Sequence, residues 1–175
     1  MINSCEILPN IDFAINRRDF WPAPRAGGVL LAVRNTIPSP KRPDMETSAD
    51  ILVCRKLRPW CKKKILMVVF YRPLSSDCWY LTEFTKYLRQ GSREKLDQLF
   101  IVGGFNLPNI DWSIRISSTD SDTYNLFTKS IKDHFVWQVV DFPTQQENLL
   151  DLVLTNIPDK IVNIVGFYDI LESDH

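Results

Sequence analysis

Six cations, Arg55, Lys56, Arg58, Lys62, Lys63 and Lys64, fall within ten residues around Pro59-Trp60. Several lysines at one tip can neutralise nucleic-acid phosphates while an indole stacks on a base. The same composition equally suits a solvated hairpin tip with no partner. Other chemistry-bearing groups are sparse. Cys5, Cys54, Cys61 and Cys78 make no C-x-x-C pair, and imidazole comes only from His134 and His175. That spacing argues against a structural zinc site and for free thiols in a reducing compartment. Lysine plus arginine and aspartate plus glutamate both number 21, for a net charge of zero. No long-range field therefore steers the whole molecule toward nucleic acid, and any DNA contact must be local.

The elements that must position these groups are mostly strands. Asp12 to Asn16, Gly28 to Arg34, Ile51 to Leu57, Ile65 to Tyr71, Leu99 to Gly103, Trp137 to Val140, Leu152 to Thr155 and Ile161 to Phe167 carry the β-branched and aromatic content of strands. Two helices are expected. One opens near Ser75 to Asp77, with Trp79, Tyr80, Phe84, Tyr87 and Leu88 at helical spacing. The other opens near Asp120, with Tyr124, Phe127, Ile131 and Phe135 on one side and Lys129, Lys132 and Asp133 on the other. Continuous apolar runs such as Ile65 to Phe70 predict strands covered on both faces, hence a layered α/β sandwich. At 175 residues, 45% hydrophobic and 11% aromatic, the chain builds one core, so a single domain over 1–175 is expected. The longest apolar stretch is strand-sized, and Met1 to Asp12 has no signal pattern, so neither a membrane nor secretion is indicated. Ser173-Asp174-His175 follows an apolar run with no polar tail, and Met1 leads straight into Ile7-Leu8-Pro9, so truncation at both ends is expected.

Several stretches in one order resemble the nuclease domain of non-LTR retrotransposons (LINE, jockey-like), within the endonuclease/exonuclease/phosphatase superfamily. They are Arg17-Arg18-Asp19, Gly27-Gly28-Val29-Leu30-Leu31-Ala32-Val33 and Phe70-Tyr71-Arg72-Pro73. Then come Ile101-Val102-Gly103-Gly104-Phe105-Asn106-Leu107-Pro108-Asn109-Ile110-Asp111-Trp112, Pro143-Thr144, Leu150 to Asn156, and Ser173-Asp174-His175. The resemblance implies a four-layer α/β sandwich: two packed, mainly antiparallel or mixed β-sheets with outer helices. It also implies a leading strand-helix-strand with an asparagine and a magnesium-binding glutamate, which this chain does not carry upstream of Ile7 to Asp19.

Hydrolysing a phosphodiester needs an activated water, charge stabilisation at the phosphoryl oxygens and relief for the leaving alkoxide. The resemblance implies that His175 contacts the phosphate, that Asp151 orients that ring, that Asp174 lies near magnesium, and that Asn106 and Tyr71 reach the phosphate. It sets Thr144 beside the phosphate, where Gln145 follows instead of an arginine. Arg72 joins the phosphate- and DNA-contacting set, with Arg55, Lys56, Trp60, Lys62, Lys63 and Lys64 from the basic stretch. Bland alternatives stand beside each: a chain-end histidine, solvated turn aspartates, a turn-fixing Asn106 and a core Tyr71.

The implied activity is a Mg²⁺-dependent endonuclease that nicks one DNA strand and leaves a 3′ hydroxyl to prime reverse transcription, acting as a monomer inside the cell, in the nucleus. Gly104 stands where the family has the aspartate that acts on the attacking water. Losing a general base costs ~10²–10⁴-fold in rate, about 3–5 kcal/mol at roughly 1.4 kcal/mol per factor of ten. An inactive copy is therefore expected. The alternatives are a DNA-contacting remnant without catalysis and a phosphatase of the same superfamily.

Overall fold

The computed structural model describes residues 12–19, 28–40, 42–45, 51–57, 63–74, 78–92, 96–117 and 121–166. In chain order they form β1 (Phe13–Asp19), β2 (Gly28–Arg34), β3 (Ile51–Leu57), β4 (Lys64–Tyr71), α1 (Trp79–Ser92), β5 (Gln98–Gly104), β6 (Ile110–Asp111), β7 (Ile116–Ser117), α2 (Asp122–Asp133), β8 (Trp137–Gln138) and β9 (Asp151–Thr155). A five-stranded sheet runs β3-β4-β5-β9-β8. Its only parallel pair is β4 with β5, as a helical crossover between them requires, and α1 is that crossover.

Side-chain alternation decides which face of this sheet is covered. Leu66, Val68 and Phe70 on β4, Ile101 on β5, and Leu152 and Leu154 on β9 all lose nearly all solvent contact. They form one core with Leu81, Phe84, Tyr87 and Leu88 of α1 and Phe127 and Ile131 of α2. Ring contacts cross the layers, Phe70 to Phe84 at 5.1 Å and Phe84 to Phe127 at 5.3 Å between centroids. The periodicities expected for both helices thus place them on one sheet face. The β1–β2 ribbon pairs antiparallel and lies against β3 and β4 without joining their ladder. Helices, sheet and ribbon make an α/β sandwich, with the ribbon representing the second sheet among the described residues. No helix among those residues is long and apolar enough to cross a membrane.

Three expectations need correction. Residues 161–166, expected as most of a strand, have no regular structure; Val162 and Val165 face solvent, and apolar β-branched content makes a strand only where a neighbouring ladder receives it. Trp137 to Val140 is a strand only as far as Gln138, because the Gln138 amide folds onto Val140, donating to its carbonyl at 2.7 Å and accepting its N–H. Phe135 leaves the apolar stripe of α2: the helix has ended, Phe135 adopts φ +52° and is 71% exposed, and Val136 takes the buried place.

Candidate active site

Strand register brings three residues of the predicted set into one row. Tyr71 pairs with Gly104 across β4 and β5, and Gly104 pairs with Asp151 across β5 and β9. Directly paired residues share a sheet face, so the phenol and the carboxylate flank the glycine. A Cβ at position 104 would stand 3.3 Å from Asp151 Oδ1 and 3.3 Å from Tyr71 Cδ2. Asp151 is exposed and Tyr71 half-buried. The row sits on the face opposite the helices, at the sheet edge where β4 and β5 end.

The loop after β5 is anchored from below and from the side. Phe105 and Leu107 are buried in the helix-side core, with the Phe105 ring 4.7 Å from that of Phe70. Gly103 makes the preceding approach possible, since at its φ of +137° a Cβ would fall 1.9 Å from the Phe70 carbonyl oxygen. Between Phe105 and Leu107, Asn106 takes φ +51°. Its amide donates to the main-chain oxygen of Arg72, and Arg72 Nη1 donates to the main-chain oxygen of Asn106 at 2.9 Å. The Arg72 N–H donates to Gly104 O at 2.8 Å, and the N–H groups of Phe105 and Asn106 both reach Leu150 O. Arg72 is 5% exposed, so in this arrangement its guanidinium braces the loop from inside.

Thr144 approaches from the β8–β9 connection. Its hydroxyl oxygen accepts the N–H of Leu150 at 3.0 Å and of Asp151 at 2.9 Å, which fixes where β9 begins and where the Asp151 side chain emerges. Beside Thr144 and Asp151 opens a cleft of about 330 Å³, walled by Val102, Val153, Phe142 and Gly166. Sequence reasoning missed it. Its walls come from four separated segments, and the sole local signal is Gly166, where a Cβ would meet the Phe142 ring at 2.8 Å.

The basic stretch is not part of this edge where it can be followed. Lys64 opens β4, where its N–H donates to Asp97 Oδ2 at 2.7 Å, and Lys63 precedes it. Tyr71 closes the same strand, seven residues and about 23 Å further on. Arg55 and Lys56 lie on β3, where only the backbone is described. Trp60, Lys62, Asp174 and His175 lie outside the described residues.

Chemically, the described edge offers one exposed carboxylate, one phenol and a hydroxyl already accepting two N–H groups. Among the described residues no group of three or more His, Cys, Asp or Glu side chains is gathered as a cation site. Magnesium is held by carboxylates and completed by water and phosphate oxygens. With glycine at 104, Asp151 has no acidic neighbour in the row, so the described residues do not fit a held magnesium ion.

Solved structures share this architecture. The endonuclease domain of TRAS1, a telomere-specific non-LTR retrotransposon, superposes with a TM-score of 0.60 at 12% identity, over 82% of this chain and 66% of that one. The human nocturnin catalytic domain with bound sulfate gives 0.59 at 9% identity, over 86% and 63%. An endonuclease/exonuclease/phosphatase family protein from Bacteroides thetaiotaomicron gives 0.51 at 10% identity, over 86% and 62%. The chain has the endonuclease/exonuclease/phosphatase fold. It spans just under two thirds of the length of each of these structures. No family model and no curated protein matches its sequence. At such low identity the endonuclease/exonuclease/phosphatase likeness is one of fold, and chemistry has to be argued from the row of Tyr71, Gly104 and Asp151.

Proposed function

We propose that the chain is part of a retrotransposon-type DNA endonuclease in which this copy does not turn over phosphodiester bonds. The supporting observation is the row of Tyr71, Gly104 and Asp151, with a glycine at the centre of a site whose neighbours are a carboxylate and a phenol. The motif resemblance puts an aspartate at 104, and the retrotransposon-like segment from Phe105 to Trp112 supports DNA over a small phosphate ester as the ancestral substrate. His175 and Asp174 belong to this reading by resemblance, as do magnesium and a nuclear place of action.

In this reading Asp151 orients the imidazole of His175 and favours its protonated form, which faces the phosphate. Tyr71 and Asn106 contribute phosphate contacts, and Thr144 holds Asp151 in place. Glycine at 104 leaves the attacking water without an acceptor, a loss of ~10²–10⁴-fold.

The test is nicking of supercoiled plasmid with and without magnesium. The natural chain is run beside Gly104→Asp, each alone and each joined to a strand-helix-strand segment bearing the asparagine and glutamate that the resemblance implies. Nicking restricted to the Gly104→Asp protein carrying the added segment is expected, and its loss with His175→Ala would place the imidazole in the chemistry. Magnesium-dependent nicking by the natural chain, abolished by His175→Ala, would overturn the reading of inactivity.

A further inference from the structure

A cavity of about 470 Å³ lies at the other end of the sheet from Asp151, within the roughly 300–1,000 Å³ of small-molecule sites. Leu99 at the start of β5 is in its wall, five residues and about 17 Å along the strand from Gly104. Tyr87 and Leu88 from α1, His134 and Phe135 after α2, and Asn156 after β9 complete the lining used here.

Two polar side chains of this lining each have one end committed to the backbone, which decides what the other end can offer. Asn156 Oδ1 accepts the Leu99 N–H at 2.8 Å, leaving the NH₂ group, a donor only. His134 Nδ1 lies 2.7 Å from the Ser130 carbonyl oxygen. A carbonyl can only accept, so Nδ1 carries the proton and Nε2 of the neutral ring is an acceptor. Asn156 and His134 thus bring a spare donor and a spare acceptor to a lining of apolar and aromatic walls that also includes Ser92 and Asp133.

Phe135 is the third feature. The end of α2 closes with Val136 N–H donating to Ile131 O at 3.0 Å and Phe135 N–H to Lys132 O at 3.1 Å, which forces Phe135 to a left-handed φ of +52°. Glycine is the usual residue there, and a Cβ costs about 1–2 kcal/mol. The outcome is a ring 71% exposed at the cavity lip, within 6.4 Å of Trp137. A strained backbone that holds an aromatic face outward is the kind of outlier that points to binding.

We infer that this cavity binds a nucleobase. A planar heterocycle with neighbouring donor and acceptor atoms, such as the amino and ring-nitrogen edge of adenine, matches the Asn156 amide and His134 Nε2 and stacks on Phe135. The base can come from a free nucleoside or from an unpaired position in a strand.

Calorimetric titration of the full chain with adenosine tests this, beside purine riboside, which lacks the amino donor, and single-stranded oligodeoxyadenylate. Saturable adenosine binding is expected, with purine riboside at least tenfold weaker. Asn156→Asp keeps an oxygen on the Leu99 N–H but removes the donor, and should weaken binding at least tenfold. Phe135→Gly relieves the backbone and should do the same while the protein melts no earlier, which separates lost binding from lost folding. Stronger binding of the oligonucleotide, sensitive to the same variants, assigns the site to an unpaired base of a strand; equal binding per base assigns it to the nucleoside. No saturable binding of either, or binding untouched by both variants, overturns the inference.

Discussion

Arg72 and Asn106 hold each other through reciprocal hydrogen bonds, each donating from its side chain to the other's main-chain oxygen. The pair ties the end of β4 to the loop after β5, on either side of Gly104, so it sets the geometry of the candidate row. Asn106→Ala removes one bond and puts an ordinary Cβ residue at φ +51°. The cost is about 2–4 kcal/mol from a lost buried hydrogen bond and a left-handed backbone. Asn106→Gly keeps the backbone conformation and loses only the amide, so about 1–2 kcal/mol is expected. Urea denaturation of both variants checks the order; equal costs would mean that the backbone conformation contributes nothing.

The two glycines of the same motif differ in what they permit. Gly103→Ala would press a Cβ to 1.9 Å from the Phe70 carbonyl oxygen at a φ of +137°, whereas a Cβ at 104 stays 3.3 Å from its nearest neighbours. Gly103→Ala should therefore cost more than about 4 kcal/mol and abolish a cooperative melt, while Gly104→Ala should cost under about 1 kcal/mol. Circular dichroism melts of the two proteins decide it.

Gly104→Asp places a second carboxylate beside Asp151. With no cation present the two charges repel, so the variant should lose stability as pH rises through the range where both carboxyls ionise. Millimolar magnesium should then restore about 1 kcal/mol or more through preferential binding to the folded state. The natural chain should show no comparable shift. A thermal melt with and without magnesium reads both; the absence of a magnesium-dependent rise in the variant would show that positions 104 and 151 do not converge on one cation.

Much of this architecture is legible in the sequence because it depends on local periodicity. The apolar run from Ile65 places β4 to within a residue, and the spacing of Phe84, Tyr87 and Leu88 finds α1, which opens at Trp79, two to four residues after the expected start. The row of Tyr71, Gly104 and Asp151 is not legible as geometry, since residues 80 positions apart meet only through strand register. Motif resemblance named its members without showing that Phe105, Asn106 and Arg72 of the same motifs are fixed inside the fold. Phe135 continues the apolar spacing of α2 yet lies beyond its end, because helical spacing carries no information about where a helix stops. The turn after Asp133 is a backbone event that the apolar pattern does not encode. Residues 161–166 failed for a related reason, as strand propensity is realised only beside a partner.

The turn after β6 supplies a pH signal that can be read without any activity. Asp111 Oδ1 accepts the Ser113 hydroxyl at 2.5 Å and the Ser113 N–H at 2.9 Å. These bonds, the hydroxyl first, hold the Asp111 carboxyl below the usual aspartate value against the opposition of desolvation, with the smallest contribution from the Ile114 N–H. Because the folded value is depressed, the turn's contribution is fully present above the ordinary aspartate pKa and is lost as pH falls through the folded one. Asp111 sits between Ile110, buried against the core, and the β7 residues it pairs with, so acid should loosen the β6–β7 hairpin before the five-stranded sheet. Carbon-13 NMR titration of the carboxyl should give a midpoint below that of an ordinary aspartate, and Ser113→Ala should move it back up. A midpoint unchanged by Ser113→Ala would mean that the serine does not hold the carboxylate in solution.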